Sequence, residues 1–279
     1  MTSPLTNPRA ERVRAVGQLA QRAARDRSGR MLVEGPQAVR EAVRFAAARV
    51  RDLYVGSDAL TRWREIIDEA LAADLYVHPC DPEVLVRMSG DAQGILAVVD
   101  RAEATLADVL AAGTDGGGRD AEPADGPRLV VVCEALADPG NAGTIIRAAD
   151  AAGADGVVLT AGSVDVTSPK VVRSSAGSVF HLPVVRGPGL AETVDALRGA
   201  GLTILAADGD GAVDVETTDL LSRPTAWVMG NEAHGISDDA RGMADAVVSI
   251  PLRGHAESLN VAMAATVVLY ASSRAHAGR

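Results

Sequence analysis

Apolar and polar positions along this chain switch repeatedly between two periods. Short unbroken apolar runs bounded by Gly, Pro or Asp predict strands, and apolar residues spaced three and four apart predict helices. In the first hundred residues, MLVEG (31–35) precedes a helical pattern over 36–48. DLYVG (52–56) precedes another over 58–73, and LYVHP (75–79) leads through a short helix over 82–88 to GILAVVD (94–100). Residues 9–27 read as a helix carrying Arg9, Arg12, Arg14, Arg22, Arg25 and Arg27. This alternation predicts a small α/β sandwich.

From residue 129 the units lengthen. LVVVCEAL (129–136) is apolar almost throughout, the signature of a parallel strand buried on both faces. Helix 142–152 and strand 156–160 follow, then helix 168–177, strand 182–185, helix 190–200 and strand 202–208. Strands 226–230 and 246–252 precede a long Ala/Val helix over 258–274. The predicted fold class is α/β, with a parallel sheet covered on both faces. Between the halves, GTDGGGRDAEPADGP (113–127) holds no large apolar residue and reads as a flexible linker. The expected domains are therefore 1–112 and 128–279.

Composition narrows the class. A chain of 279 residues suffices for two ordinary domains, and 47% hydrophobic content excludes a largely disordered one. Aromatics are only 3%, so Val, Leu, Ile and Ala must build the core. No apolar run approaches the ~18 residues that cross a bilayer. The start, MTSPLTNPRAERVRAVGQLAQ, lacks the apolar centre of a signal peptide, so a cytoplasmic location is expected. Cys80 and Cys133 lie far apart and the five histidines show no ligand spacing, so neither disulfide nor metal is expected.

The net charge of −10 hides an asymmetry. Residues 1–51 carry eleven Arg against four acids, a local +7 that leaves the remainder at −17. A basic segment on an acidic body suits a face that meets a polyanion. It also suits a plain preference for arginine, since Arg outnumbers Lys 26 to 1.

A parallel sheet raises dinucleotide binding. The turn after the strand at 129–136 reads ADPGNAG, which lacks the G-x-G-x-x-G fingerprint, and no G-x-x-x-x-G-K-[ST] exists. An NAD enzyme and a P-loop NTPase are both disfavoured. Three other stretches place polar residues at strand ends. DPGNAGTIIRAAD (138–150) sets Asn141 at a helix start and Arg147 farther along it. VMGNEAHGIS (228–237) runs a strand into Gly230, Asn231, Glu232 and His234. IPLRGHAESLNVAMA (250–264) carries Ser258, Leu259 and Asn260 into the last helix, with Ser258 as its cap. Taken singly, each has a structural explanation: a helix cap, a surface arginine, a tight turn.

Together and in this order, NAGTIIRAAD, VMGNEAHGIS and IPLRGHAESLNVAMA resemble the SpoU (TrmH-type) RNA 2′-O-ribose methyltransferases of the SPOUT superfamily, across nearly all of 129–274. MLVEGPQAVREAV (31–43) and SGDAQGILAVV (89–99) resemble, more loosely, the substrate-binding domain that precedes the catalytic one in the two-domain ribosomal-RNA and thiopeptide-resistance methylases. The resemblance implies a SPOUT domain with a trefoil knot, S-adenosyl-L-methionine (AdoMet) as methyl donor, and a homodimer. It implies structured RNA as substrate, with 23S ribosomal RNA ahead of transfer RNA. The alternative of another class is a non-catalytic RNA-binding or ribosome-assembly protein on the same scaffold. The resemblance assigns Arg147, Asn141, Glu232, Ser258 and Asn260 to catalysis, with Arg147 reaching across the dimer. Gly230, Ile250, Leu252, Leu259, Ala206 and Asp208 would line the cofactor pocket. His234 and His255 match no catalytic position and read as loop residues.

Overall fold

The computed structural model describes residues 4–112, 126–231 and 233–277. Its elements run α1 (Glu11–Gln18), α2 (Arg22–Ser28), β1 (Arg30–Glu34), α3 (Pro36–Phe45), β2 (Val50–Gly56), α4 (Arg64–Ala72), β3 (Val77–Cys80), α5 (Pro82–Met88), β4 (Ile95–Asp100) and α6 (Leu106–Ala111). They continue β5 (Leu129–Cys133), α7 (Pro139–Ala151), β6 (Gly156–Leu159), α8 (Pro169–Ser174), β7 (Val184–Arg186), α9 (Leu190–Gly199), β8 (Thr203–Ala207), β9 (Val213–Asp214), β10 (Thr225–Met229), α10 (Asp238–Met243), β11 (Ala246–Ser249) and α11 (Val261–Ala277). The long basic helix expected over 9–27 is two helices, α1 and α2, separated at 19–21.

Two compact units form: Met1–Ala102 with Asp165–His181, and Glu103–Val164 with Leu182–Arg279. This departs from the division drawn at 113–127, most of which lies outside the described residues. Two physical causes move the boundaries. Thr105 and Asp108 form a capping box that starts α6, whose Val109 packs in the second unit's core. Residues 165–181, read from sequence as part of the second half, are held in the first unit by ion pairs. Arg25 meets Asp165 at 2.7 Å with both side chains almost wholly buried, and Arg173 meets Glu34 at 2.7 Å. Burial alone would push the Asp165 carboxyl up, but hydrogen bonds from Arg25 and Thr167 outweigh it and hold the group below the usual carboxylate range.

In the first unit the strand order is β1-β4-β2-β3, with β4 antiparallel to β1 and β2, and β2 parallel to β3. The period of two divides the side chains between two cores. Met31, Val33, Leu53 and Val55 face one, with Val39 of α3 and Ile66 of α4. Leu32 and Tyr54 face the other, with Val13 of α1 and Val84 of α5. Full burial of each large aliphatic side chain contributes about 1.5–3 kcal/mol.

The second unit is a seven-stranded sheet ordered β7-β6-β5-β10-β8-β11-β9, parallel throughout. Central β10 sets Trp227 between Val131 of β5 and Leu205 of β8. Trp227 is fully buried, and its Nε1 donates to Ser272 Oγ on α11 at 2.9 Å. That bond satisfies the one polar atom of the largest core side chain. Helix α11 packs along α7 and against β10.

Candidate functional site

The carboxyl ends of three neighbouring parallel strands, β10, β8 and β11, open into one cavity of about 470 Å³. Its walls are Ala207, Asp208 and Gly209 after β8, Met229, Gly230 and Asn231 after β10, and Ile250 and Leu252 after β11. Glu257, Ser258, Leu259, Asn260 and Val261 close the side formed by the start of α11. Ligands of parallel sheets sit at this edge, where loops are free to diverge. The size falls within the range of small-molecule sites.

The loop after β10 is tightly closed. Asn231 N–H donates to Gly235 O at 2.8 Å and Gly235 N–H returns to Asn231 O at 2.9 Å. Gly235 takes φ +69°, and a Cβ on Gly230 would lie 2.2 Å from the Gly235 carbonyl carbon. Only glycine permits that approach. Asn231 Nδ2 donates to Ala135 O at 2.7 Å, which ties this loop to the one leaving β5. Ser237 Oγ donates to Glu134 at 2.6 Å beside it. Asp208 Oδ2 accepts from Arg241 of α10 at 2.9 Å, so this wall carboxylate is held by a residue that is not itself part of the lining.

Sequence expectation and structure agree unevenly here. Gly230, Ile250, Leu252, Leu259, Asp208, Ser258 and Asn260 all line the cavity. Ala206 does not: it is fully buried in the core, and the strand's alternation brings Ala207 to the wall in its place. Ser258 does not cap the last helix, which begins at Val261; the Asn260 side chain accepts from Ala262 N–H at 2.9 Å and does so. Asn141 is not a cap either. Pro139 opens α7, and the Asp138 carboxylate caps it by accepting from Asn141 N–H at 2.8 Å. The Asn141 side chain instead accepts from Asn260 Nδ2 at 3.0 Å. Glu232 lies outside the described residues. His234 and His255 are exposed and off the cavity wall.

Arg147 is exposed on α7, away from the cavity lining, and makes no hydrogen bond or ion pair among the described residues. Beside its helix face, Tyr270 O–H of α11 donates to Ala151 O at 3.4 Å. Met263, Val267 and Tyr270 form an exposed apolar stripe along α11. Ala207 lies within the strand end 203–208 that the resemblance implies closes the pocket, whereas Asn231 and Arg241 carry no assigned role in the sequence reading. Asn231 sits inside the second motif, whereas Arg241 carries no local signal because its partner Asp208 is 33 residues away.

Among the described residues no cluster of three or more His, Cys, Asp or Glu could hold a metal ion, and no helix is long and apolar enough to cross a membrane.

Comparison with known proteins places nearly the whole length of the chain beside one group of enzymes. The SpoU rRNA Methylase family model matches residues 128–270, and an MRM3-like substrate binding domain model matches residues 10–97. A 23S rRNA (uridine(2479)-2′-O)-methyltransferase of Streptomyces viridochromogenes is 35% identical over 261 residues, 92% of this chain and 86% of that protein. A 23S rRNA (guanosine-2′-O-)-methyltransferase RlmB of Nitrosomonas europaea is 31% identical, covering 88% of this chain and 92% of its own. The solved structure of the SpoU methyltransferase AviRb of S. viridochromogenes in complex with AdoMet superposes with a TM-score of 0.81. It is 32% identical and covers 97% of this chain and all of its own. An AdoMet-bound rRNA methyltransferase of Sinorhizobium meliloti gives a TM-score of 0.79 at 28% identity, covering 98% of this chain and 97% of its own.

Proposed function

The chain belongs to the SpoU rRNA methylase family, and from that premise we propose that it is an AdoMet-dependent ribose 2′-O-methyltransferase of RNA, with 23S ribosomal RNA as substrate. The observation that carries the reading is the cavity at the ends of β8, β10 and β11. Its donor set suits AdoMet: glycine backbone at Gly209, Gly230 and Gly235, apolar walls at Ile250, Leu252 and Leu259, and the carboxylates of Asp208 and Glu257 for a cationic ligand. AdoMet, when bound, supplies an electrophilic methyl group on a sulfonium.

The chain's own residues then hold the acceptor. Arg147 is too basic to take the proton of the ribose hydroxyl, which passes to a phosphate oxygen or water as the hydroxyl oxygen attacks the methyl group. Its planar fork clamps a substrate phosphate and orients the 2′-hydroxyl beside it. Asn141, Ser258 and Asn260 keep the ribose in register, and Glu232 joins them. Holding the hydroxyl in line with the methyl group can supply up to ~7–11 kcal/mol of the barrier.

In this reading the protein is a homodimer, and Arg147 serves the partner's site. Three facts support it: Arg147 has no partner of its own among the described residues, it stands off the cavity wall, and the stripe from Met263 to Tyr270 leaves an apolar helix face open to water. The family resemblance carries the further reading that the carboxyl end, whose α11 packs on α7, β5, β8 and β10, is threaded into a knot. RNA recognition falls to the first unit. Much of the local +7 is spent inside it, because Arg12, Arg22, Arg25, Arg30, Arg44 and Arg51 all pair with carboxylates. Arg9, Arg14 and Arg27 stay exposed with no ion pair among the described residues, and they follow RNA phosphates.

The test is incubation of the full chain with methyl-labelled AdoMet and ribosomal RNA that lacks the modification. Label in an alkali-resistant dinucleotide of 23S RNA is expected. No label in RNA, or label in alkali-sensitive linkages only, overturns the reading.

A further inference from the structure

The two phenylalanines of this aromatic-poor chain are linked at one corner of the first unit through neighbouring residues: Phe45 touches the His181 ring, and Phe180, next to His181 in sequence, lies under Arg49. Phe45, the last residue of α3, is 58% exposed. Its ring lies 4.3 Å, centroid to centroid, from the His181 imidazole at a tilt of 54°. His181 Nε2 is 3.2 Å from Glu41 Oε2, one helical turn before Phe45, which fixes the imidazole. Behind them Phe180 is buried, and the Arg49 guanidinium lies 5.7 Å from its ring centroid. Arg49 is half-buried, and among the described residues no carboxylate lies within ion-pair distance of it.

An exposed Phe alone has no meaning, since every surface carries some. Here the exposed ring is continuous with a fixed imidazole, and a cation without an ion-pair partner sits over the adjoining ring. The exposed face of an aromatic ring takes a nucleobase, and a half-buried guanidinium takes the phosphate that follows it. We infer that Phe45, His181 and Arg49 form a binding site for one unpaired nucleotide of RNA, the base stacking on Phe45 and a phosphate meeting Arg49. This rests on RNA being the substrate and names how part of it is read. An apolar protein segment fits less well, because nothing in it would answer Arg49.

The test uses the full chain in two assays: methyl transfer to ribosomal RNA, and binding of a fluorescein-labelled single-stranded oligouridylate. Phe45→Ala is expected to raise the KM for RNA and weaken oligonucleotide binding about tenfold, leaving kcat and the AdoMet Kd within twofold. Phe45→Trp should restore both, and Arg49→Gln should weaken binding while flattening its salt dependence. A melting temperature unchanged in Phe45→Ala separates lost stacking from lost folding. Native KM and native oligonucleotide affinity in Phe45→Ala would overturn the site. If oligonucleotide binding falls as expected while the native enzyme methylates no RNA, the stacking site stands and the proposed activity falls.

Discussion

Asn260 and Asn141, 119 residues apart, share a hydrogen bond of 3.0 Å that joins the loop entering α11 to the first turn of α7. One amide thus has two duties: Asn260 Oδ1 caps α11, and its Nδ2 reaches the helix that carries Arg147. The duties separate by substitution. Asn260→Ser keeps a capping oxygen but is too short to bridge, so it should retain stability and lose activity. Asn260→Ala should lose both, with about 1 kcal/mol of stability gone with the cap. Thermal unfolding and methyl-transfer rate, measured on both variants, check this; equal rates in Asn260→Ser and the native protein would deny the bridge a role.

Arg147 is exposed and makes no internal bond among the described residues, so Arg147→Ala should shift stability by less than about 0.5 kcal/mol. Turnover should vanish while AdoMet affinity stays within a few-fold, read by calorimetry. Arg147→Lys keeps the charge but not the planar fork, and should recover little activity. Mixing Arg147→Ala with a variant disabled in the cavity should restore activity if the arginine works across a dimer. The two inactive proteins would remain inactive together if it works within one chain.

Gly230→Ala places a methyl group 2.2 Å from a backbone carbon in a loop already closed by two backbone hydrogen bonds. The loop must open to accept it, at a cost of about 1–3 kcal/mol. Calorimetry should show AdoMet binding lost. Gly254 meets nothing within 4 Å of an added Cβ, so Gly254→Ala is a control expected to bind normally.

The Arg25–Asp165 pair ties residues 165–181 to the first unit from a buried position. Arg25→Ala strands a buried carboxylate and should cost about 3–5 kcal/mol. The Asp165 carboxyl sits below its unfolded value, so it contributes stability that is complete above about pH 4 and lost as pH falls through the folded value. Acid unfolding of the native protein should therefore be steeper below pH 4 than that of a variant with both residues replaced by apolar ones. Identical acid transitions would remove the pair from the account.

That same tie changes what a truncation would report. Removing residues 1–100 looks, from the sequence, like a clean separation of RNA recognition from cofactor binding. Val172 and Phe180 are buried among residues of the deleted portion, so the fragment would expose them and lose its solubility. Point substitutions on the full chain keep the two functions separable.

The sequence alone was enough for the parallel sheet of the second unit, the family and the donor. Apolar runs such as 129–133 and 226–229, short and bounded by turn residues, read as strands buried on both faces, and three ordered motifs carry the family resemblance. Most of the cavity wall was legible through the family resemblance: Gly230 and Ile250 directly follow β10 and β11, and Leu259 stands two residues before α11. Tertiary structure decided whatever depends on partners distant along the chain. The Asn141 side chain could be read as a cap until its pairing with Asn260 assigned it, and Ala206 differs from Ala207 only by which face of β8 it occupies. Residues 165–181 continue the β-α rhythm of the second half, yet belong to the first unit, because Arg25, Glu34 and Glu41 wait there for their charges. Local pattern reports which face of an element is apolar; only the folded chain selects which neighbour covers it.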